Sequence, residues 1–452
     1  MTRPRHERSS TLNLDLFRPL VSFVRHETFG SVLLILASAV ALIWANSAAR
    51  DGYVRLWETP IAVAVGPWEI RESLLHWIND LAMAFFFLLV GMEIKRELVS
   101  GELDTPSKAL LPVLAAVGGM LIPAALYLAV ASGGEAAPGW GIPMATDIAF
   151  ALGVLRLLGK RVPIGLFAFL AGLAIIDDLG AILVIAIFYS STISWPALGA
   201  AAAFTLVLAA FNAAGVRRPG LYVLVGLPLW LALFASGIHA TIAGVIVGFC
   251  LPARGSSRRE ELLDDAERLV AIARKEGPGD DDEAAVAALR AMAARLDSPL
   301  QVLEHAINPY VSYFVIPLFA LANAGVTLVG ASPALLLEHA ALGVILGLVV
   351  GKPIGIVGAT WLALRLRITR LPTGVTRRHL VGAGLLGGIG FTMSLFVAGL
   401  AFQEGSPIHT QAKVGILTAS IIAGAIGYLT LRTTKVQAAA EGEGRREAPH
   451  AA

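Results

Sequence analysis

An all-α integral membrane protein of about twelve transmembrane helices, two of them interrupted inside the membrane, is the fold class that the sequence predicts. Three observations predict it. Of the 452 residues 56% are apolar without counting 46 glycines, only 15% are charged, and mean hydropathy is +0.73, a balance richer in apolar residues than soluble domains show. Apolar stretches near the ~20 residues that a bilayer requires recur along most of the chain. The basic residues are also segregated between alternate connecting segments, as insertion topology demands.

Spans are expected at roughly 29–48, 75–92, 109–132, 140–158, 164–189, 198–213, 221–236, 237–252, 309–329, 340–364, 379–402 and 412–431. With this register 30 of the 35 Lys and Arg residues fall on the side of the N-terminus, against Arg50, Arg55, Arg71 and Lys413 on the other side. Both termini are therefore expected in the cytoplasm of a cell with an inner membrane. The remaining basic residue, Lys352, stands inside a span. A cleaved signal peptide is the rival reading of the first span, but its 28 preceding residues are too long for an ordinary n-region.

Residues 1–28 read as a cytoplasmic N-terminus, 29–432 as the transmembrane domain and 433–452 as a disordered tail of Ala, Glu, Gly and Arg. Between the first two spans, residues 53–70 carry alternating Ile61, Val63 and Val65 and a Gly66-Pro67 turn, the pattern of a small external β-hairpin. Residues 253–300 form the one large polar insertion, in which Arg258–Lys275 and Asp281–Leu296 read as charged amphipathic helices of a cytoplasmic hairpin. Cys250 is alone, which excludes a disulfide framework or a cysteine metal site. No cofactor is expected, and the net charge of +2 follows topology rather than nucleic-acid binding.

Ionisable groups at mid-bilayer cost at least ~2.5–3.5 kcal/mol each, so each one asks for a partner or a function. Asp177 and Asp178 sit side by side in an apolar run, and neighbours on a helix point ~100° apart, so the two can face different partners. Asp147 follows Gly141 and Pro143, and proline removes a backbone donor and clashes with the preceding turn. That span is expected to break near Thr146-Asp147, although a plain helix cap remains the bland alternative for Asp147. Lys352 either pairs with one of the aspartates or snorkels to the interface. A second break is suggested by Gly382, Gly384, Gly387, Gly388 and Gly390, though glycine faces also serve ordinary helix packing.

The segments Phe86–Leu98, Ala145–Gly153, Ile176–Ile182, Ser236–Val245, Phe319–Val326, Gly351–Gly355 and Gly387–Ser394 together closely resemble the NhaA-type sodium/proton antiporter family. The likeness is collinear from about residue 26 to 432 and carries every charge expected inside the membrane. It implies twelve spans in which the third to fifth and tenth to twelfth are inverted repeats whose unwound segments cross at mid-membrane. Paired interruptions of this kind mark a transporter's ion site, the resembled family being a known example. The resemblance makes Asp178 the main cation-binding carboxylate and proton carrier, pairs Asp177 with Lys352, and places Thr146 and Asp147 at the crossing. Glu93, Lys95, Arg96 and Glu97, with Glu304 and His305, match its pH-sensing cytoplasmic entrance, and His239 matches a family histidine. A solvated helix end and a packed histidine are the bland alternatives for those residues. The implied partners are Na+, Li+ and H+ as transported ions, the lipid bilayer, and a second copy of the chain through the 53–70 hairpin.

Sodium is a hard cation satisfied by oxygen ligands, and carboxylates, a hydroxyl and freed carbonyls supply them. Protons compete for the same carboxylates, so one ion evicts the other. An intramembrane aspartyl protease would also need buried aspartates, but the Gly-x-Gly-Asp pattern of Gly277–Asp280 lies in the polar insertion. A channel would not need a lysine beside its cation path. The insertion is longer than the family loop, and Asn308, which cannot change charge, stands where the family usually has a histidine. The 258–296 segment is therefore expected to set the local potential at the entrance. Its replacement by a short Gly/Ser linker should displace the pH profile of exchange while retaining activity. A superimposable profile would leave the insertion a tolerated loop.

Overall fold

The computed structural model describes residues 18–65, 68–101, 103–190, 192–254, 298–328 and 332–434, together with the isolated positions 264 and 267. The first 17 residues of the expected N-terminus, the Gly66-Pro67 turn, the expected cytoplasmic helices at 258–296 apart from those two positions, and the tail from residue 435 lie outside the described residues. The chain folds as helix α1 (Arg18–Ala45), a short α2 (Arg50–Glu58), strands β1 (Pro60–Val65) and β2 (Trp68–Ser73), α3 (Leu74–Ser100), α4 (Pro106–Ala131), a 3₁₀ segment (Ala137–Met144) leading into α5 (Ile148–Leu157), and α6 (Ile164–Phe188). Then come α7 (Trp195–Ala213), α8 (Pro219–Ser236), α9 (Ile242–Cys250), α10 (Pro299–Asn323), α11 (His339–Arg365), α12 (Arg377–Gly387), α13 (Phe391–Ala401) and α14 (Pro407–Arg432).

Among the described residues nine helices are long and apolar enough to cross a membrane, or eleven if each of two bent pairs is one span. Helix boundaries follow local chemistry. Ser298 and Gln301 close a capping box at the start of α10, Thr376 and His379 do the same for α12, and Ser73 and Ser406 cap α3 and α14. Large apolar side chains such as Ile187, Phe188, Leu206, Leu224 and Ile421 remain exposed on the outside of the bundle, where lipid rather than water is the solvent.

Two segments differ from expectation. The hairpin occupies 60–73 rather than 53–70, because Arg50–Glu58 is helical: its apolar Tyr53 and Trp57 are spaced four apart and are buried together. Tyr53 donates to the carbonyls of Leu321 and Ala322, so α2 lies over the end of α10. In the sheet Val63 pairs with Ile70 and Ile61 with Glu72, and the Trp77 indole donates to the Ile61 carbonyl, tying the sheet to α3. The span expected at 237–252 contains only the nine-residue α9, since Gly237 takes a left-handed φ of +83° and turns the chain before the helix starts. Nine residues at 1.5 Å each cover about 14 Å, less than half of the ~30 Å hydrocarbon thickness.

The centre of the bundle is a close crossing of α4 and α11. A methyl group built on Gly355 would overlap the Gly118 carbonyl oxygen, and one on Gly118 would overlap the Gly355 carbonyl. Backbones approach this closely only where side chains are absent, the usual basis of helix association in lipid. Gly355→Val is expected to force α11 away from α4 and sharply lower the yield of monodisperse protein in detergent. A Val variant with the wild-type melting temperature would show that the crossing yields without loss.

Candidate functional site

The two interrupted spans meet inside the bundle. In the first, the 3₁₀ segment ends at Met144 and the backbone is extended at Ala145 before Asp147 caps α5, accepting the Phe150 amide at 3.0 Å. In the second, α12 ends at Gly387 and α13 starts at Phe391, with a bend of 41° across the intervening glycines. The free backbone groups and side chains of each break are satisfied by the other. The Asp147 amide donates to the Ile389 carbonyl at 2.7 Å, and the Thr146 hydroxyl donates to the Gly387 carbonyl at 2.9 Å. The Thr392 amide donates to Asp147 Oδ2 at 3.0 Å, its hydroxyl binds the same oxygen, and Ser394 donates to the Ile142 carbonyl. Non-helical backbone at membrane depth is tolerated only when buried in protein or lining a cavity, and here both conditions hold. Asp147 is thus a helix cap, but one held at the crossing rather than at the interface.

Asp177 and Asp178 lie halfway along α6, and neither is exposed. Lys352 is equally buried and places Nζ 2.8 Å from Asp177 Oδ2, so it does not snorkel. Its ammonium also donates to the Met144 carbonyl at the mouth of the first break. A π turn over Gly347–Gly351 immediately precedes it; such turns re-aim the following side chain and are frequent at functional sites. The Thr146 hydroxyl also lies 2.7 Å from the same Asp177 oxygen, its one proton shared between that oxygen and the Gly387 carbonyl, so Asp177 is bound to α11 and to the first break at once. Asp178 is different. Among the described residues neither of its carboxylate oxygens has a hydrogen-bond partner. It lines a cavity of about 250 Å³ that runs from Arg96 and Glu97 at the end of α3 inward to Asp147 and Asp178. Adjacent positions ~100° apart on one helix explain the division, with Asp177 turned to the lysine and Asp178 to the cavity.

A family described as Na+/H+ antiporter 1 matches residues 21–431. The chain belongs to this antiporter family. It is 45% identical over 425 residues to the Na(+)/H(+) antiporter NhaA of Oleidesulfovibrio alaskensis, covering 92% of this chain and 94% of the relative. It is 46% identical over 427 residues to the NhaA of Rhodospirillum rubrum, with 93% and 99% covered, and 47% identical over 416 residues to that of an Escherichia coli strain, with 91% and 97% covered. Like these relatives it is a multi-pass membrane transporter and not an enzyme.

The antiporter's remaining candidate residues divide between the two ends of the bundle. Arg96 forms an ion pair with Glu304 across α3 and α10 and another with Glu97 at 3.2 Å. Glu93 lines the same cavity, whereas His305 is exposed beside the buried Glu304. His239 is not part of this cluster. It lies between α8 and α9 with Nε2 2.7 Å from the Tyr189 carbonyl at the far end of α6, because the turn at Gly237 falls on the opposite end of the bundle. Lys95 is spent on structure, donating to the Phe249 and Leu251 carbonyls at the end of α9. Among the described residues no group of three or more His, Cys, Asp or Glu gathers as a resident metal site would. Thr392 and Ser394 are the polar residues at the crossing to which sequence alone assigned no role. Their signal was a pair of hydroxyls spaced two apart directly after the glycine run, which becomes informative only once that run is known to break.

Proposed function

We propose that this antiporter exchanges Na+, and Li+, for protons electrogenically, drawing on an inward proton gradient to expel sodium, with activity that depends on pH. The observation that carries the reading is Asp178, a fully buried carboxylate with no hydrogen-bond partner among the described residues, on the wall of a cavity that leads to Arg96 and Glu97 at the end of α3. A buried carboxylate is costly unless it is neutralised by a proton or a cation, and the cavity lets either reach it. Asp178 is then the shared site for cation and proton, with Asp147, Thr146 and Thr392 supplying oxygen nearby. Asp177 is the second carboxylate of the cation-loaded state. Sodium binding there withdraws Asp177 from Lys352, and a proton released by the lysine would carry the exchange beyond one proton per cation. Asp177 and Asp178 act as one coupled titrating pair rather than as independent groups.

The cluster of Glu93, Arg96, Glu97, Glu304 and His305 supports pH dependence, since Glu93, Arg96 and Glu97 line the cavity through which the cation passes, Glu304 pairs with Arg96, and His305 adjoins Glu304. For His239 the carbonyl contact favours a packing role. The crossing breaks support a twelve-span plan with inverted repeats, and the side on which basic residues gather supports cytoplasmic termini in an inner membrane. The β1–β2 sheet, standing clear of the bundle core, is the surface we assign to homodimer contact.

The test is proton release from everted vesicles on adding NaCl, LiCl or KCl across a pH series, with the membrane potential clamped and unclamped. Sodium and lithium should release protons, and a rate that responds to the clamp marks electrogenic exchange. No release with any cation at any pH would overturn the reading.

A further inference from the structure

The π turn ahead of Lys352 has a chemical cause beside it. The Lys352 amide donates to the Gly347 carbonyl, five residues back instead of four. The next residue is Pro353, which has no N–H and whose ring would collide with the Val349 carbonyl, four residues back, in a regular helix. The wider turn relieves that collision. α10 repeats the pairing: the Ile316 amide donates five residues back to the Val311 carbonyl, and Pro317 follows it. Two glycines make room for the turn in α11. A methyl group on Gly351 would overlap the Pro123 backbone of α4, and one on Gly347 would overlap the Pro143 ring of the 3₁₀ segment. The turn also frees a backbone oxygen. With the Lys352 amide committed to Gly347 and Pro353 without an N–H, the Leu348 carbonyl loses both of its ordinary helical donors, and it rests against Gly388 in the second break.

We propose that Pro353 is the positioning residue for Lys352, and that the wide turn it imposes aims the ammonium at Asp177 and the Met144 carbonyl. A π turn holds one residue more than an α turn, so it rotates everything after it by about 100°. In a regular helix with the same start, Lys352 would point about 100° away from both partners that it now meets. Pro353 touches neither the cation nor the proton in this arrangement and acts through the lysine alone. Its second effect is on the breaks: the freed Leu348 oxygen faces Gly388, so one proline shapes both the lysine's aim and the backbone surface against which the second break is packed.

The experiment measures the melting temperature in detergent of the purified full chain as wild type, Pro353→Ala, Lys352→Ala and the double variant, with Pro317→Ala as control. A proline that only bends its helix predicts a rise for Pro353→Ala, because alanine returns an N–H and is the best helix former. Positioning predicts a fall of about 2–4 °C or more, since the ion pair is lost with the aim. The fall should disappear once Lys352→Ala has removed the group that is aimed. Pro317→Ala, which has Ile316 where α11 has the lysine, should show no fall. Pro353→Gly, compared in the same way with and without Lys352→Ala, takes the place of Pro353→Ala if that variant gives no monodisperse protein. In everted vesicles sodium-driven proton release by Pro353→Ala should persist but lose its response to the potential clamp, a readout that rests on the lysine's part in the exchange proposed above. A rise or no change in melting temperature for Pro353→Ala overturns the proposal, as does an equal fall with and without Lys352→Ala, or a fall matched by Pro317→Ala. A wild type that ignores the clamp refutes electrogenic exchange instead, and the melting series still decides the role of Pro353.

Discussion

Asp178→Asn is expected to bring sodium-driven proton release to the background of empty vesicles at every pH, with the protein still folded. The carboxylate has no protein partner among the described residues, so its replacement by an amide breaks no hydrogen bond or ion pair. An isosteric amide neither carries a proton nor supplies a charged ligand, and both are required of one group that serves cation and proton in turn. The melting temperature in detergent should therefore stay close to wild type, or rise, because a buried ionisable group has been replaced by a neutral one. Measurable sodium-driven release by the purified variant would sink the assignment of Asp178 as the shared site.

Lys352→Ala should behave in the opposite way, with its first effect on stability. The substitution leaves Asp177 fully buried with the Thr146 hydroxyl as its hydrogen-bond partner, and it also frees the Met144 carbonyl and opens a void beside Gly119. Breaking a buried pair from one side costs about 3–5 kcal/mol, much more than the net worth of the pair, because the remaining charge is uncompensated. A clear fall in melting temperature in detergent is the expected result, and Asp177→Asn introduced into the Lys352→Ala background should recover part of it. Such non-additivity is the signature of a direct pair. An unchanged melting temperature in the single variant would show that the ion pair contributes nothing to the fold.

The legible part of the site was legible for an energetic reason. A charge inside an apolar run has to be explained whatever the fold, so Asp147, Asp177, Asp178 and Lys352 stood out by position alone. Which aspartate meets the lysine was not in the spacing. Neighbours on a helix are known to diverge, but the direction of each depends on how α6 is rotated against α11, and that rotation is set by packing between distant segments, Gly172 and Gly180 of α6 against Pro112 and Met120 of α4 and Gly118 of α4 against Gly355 of α11. The hairpin shows the same limit at smaller scale. Alternation marked its strands, whereas the helix from Arg50 to Glu58 was hidden, because nine residues offer one apolar i, i+4 pair, Tyr53 and Trp57, beside the alternating segment, and the helix owes its place to Tyr53 reaching the end of α10.

Membership of the antiporter family, the membrane class and the approximate positions of the apolar spans were determined by the sequence itself, since bilayer thickness and the cost of burying charge act on local composition. Only the tertiary structure decided that the two breaks satisfy each other's backbone groups, that Asp177 is held by Lys352 and Thr146 while Asp178 faces the cavity, and that His239 lies at the opposite end from the Glu93 cluster. Each of these is a contact between residues far apart in the chain. Contacts of that kind depend on helix rotation and crossing angle, which local hydropathy leaves undetermined.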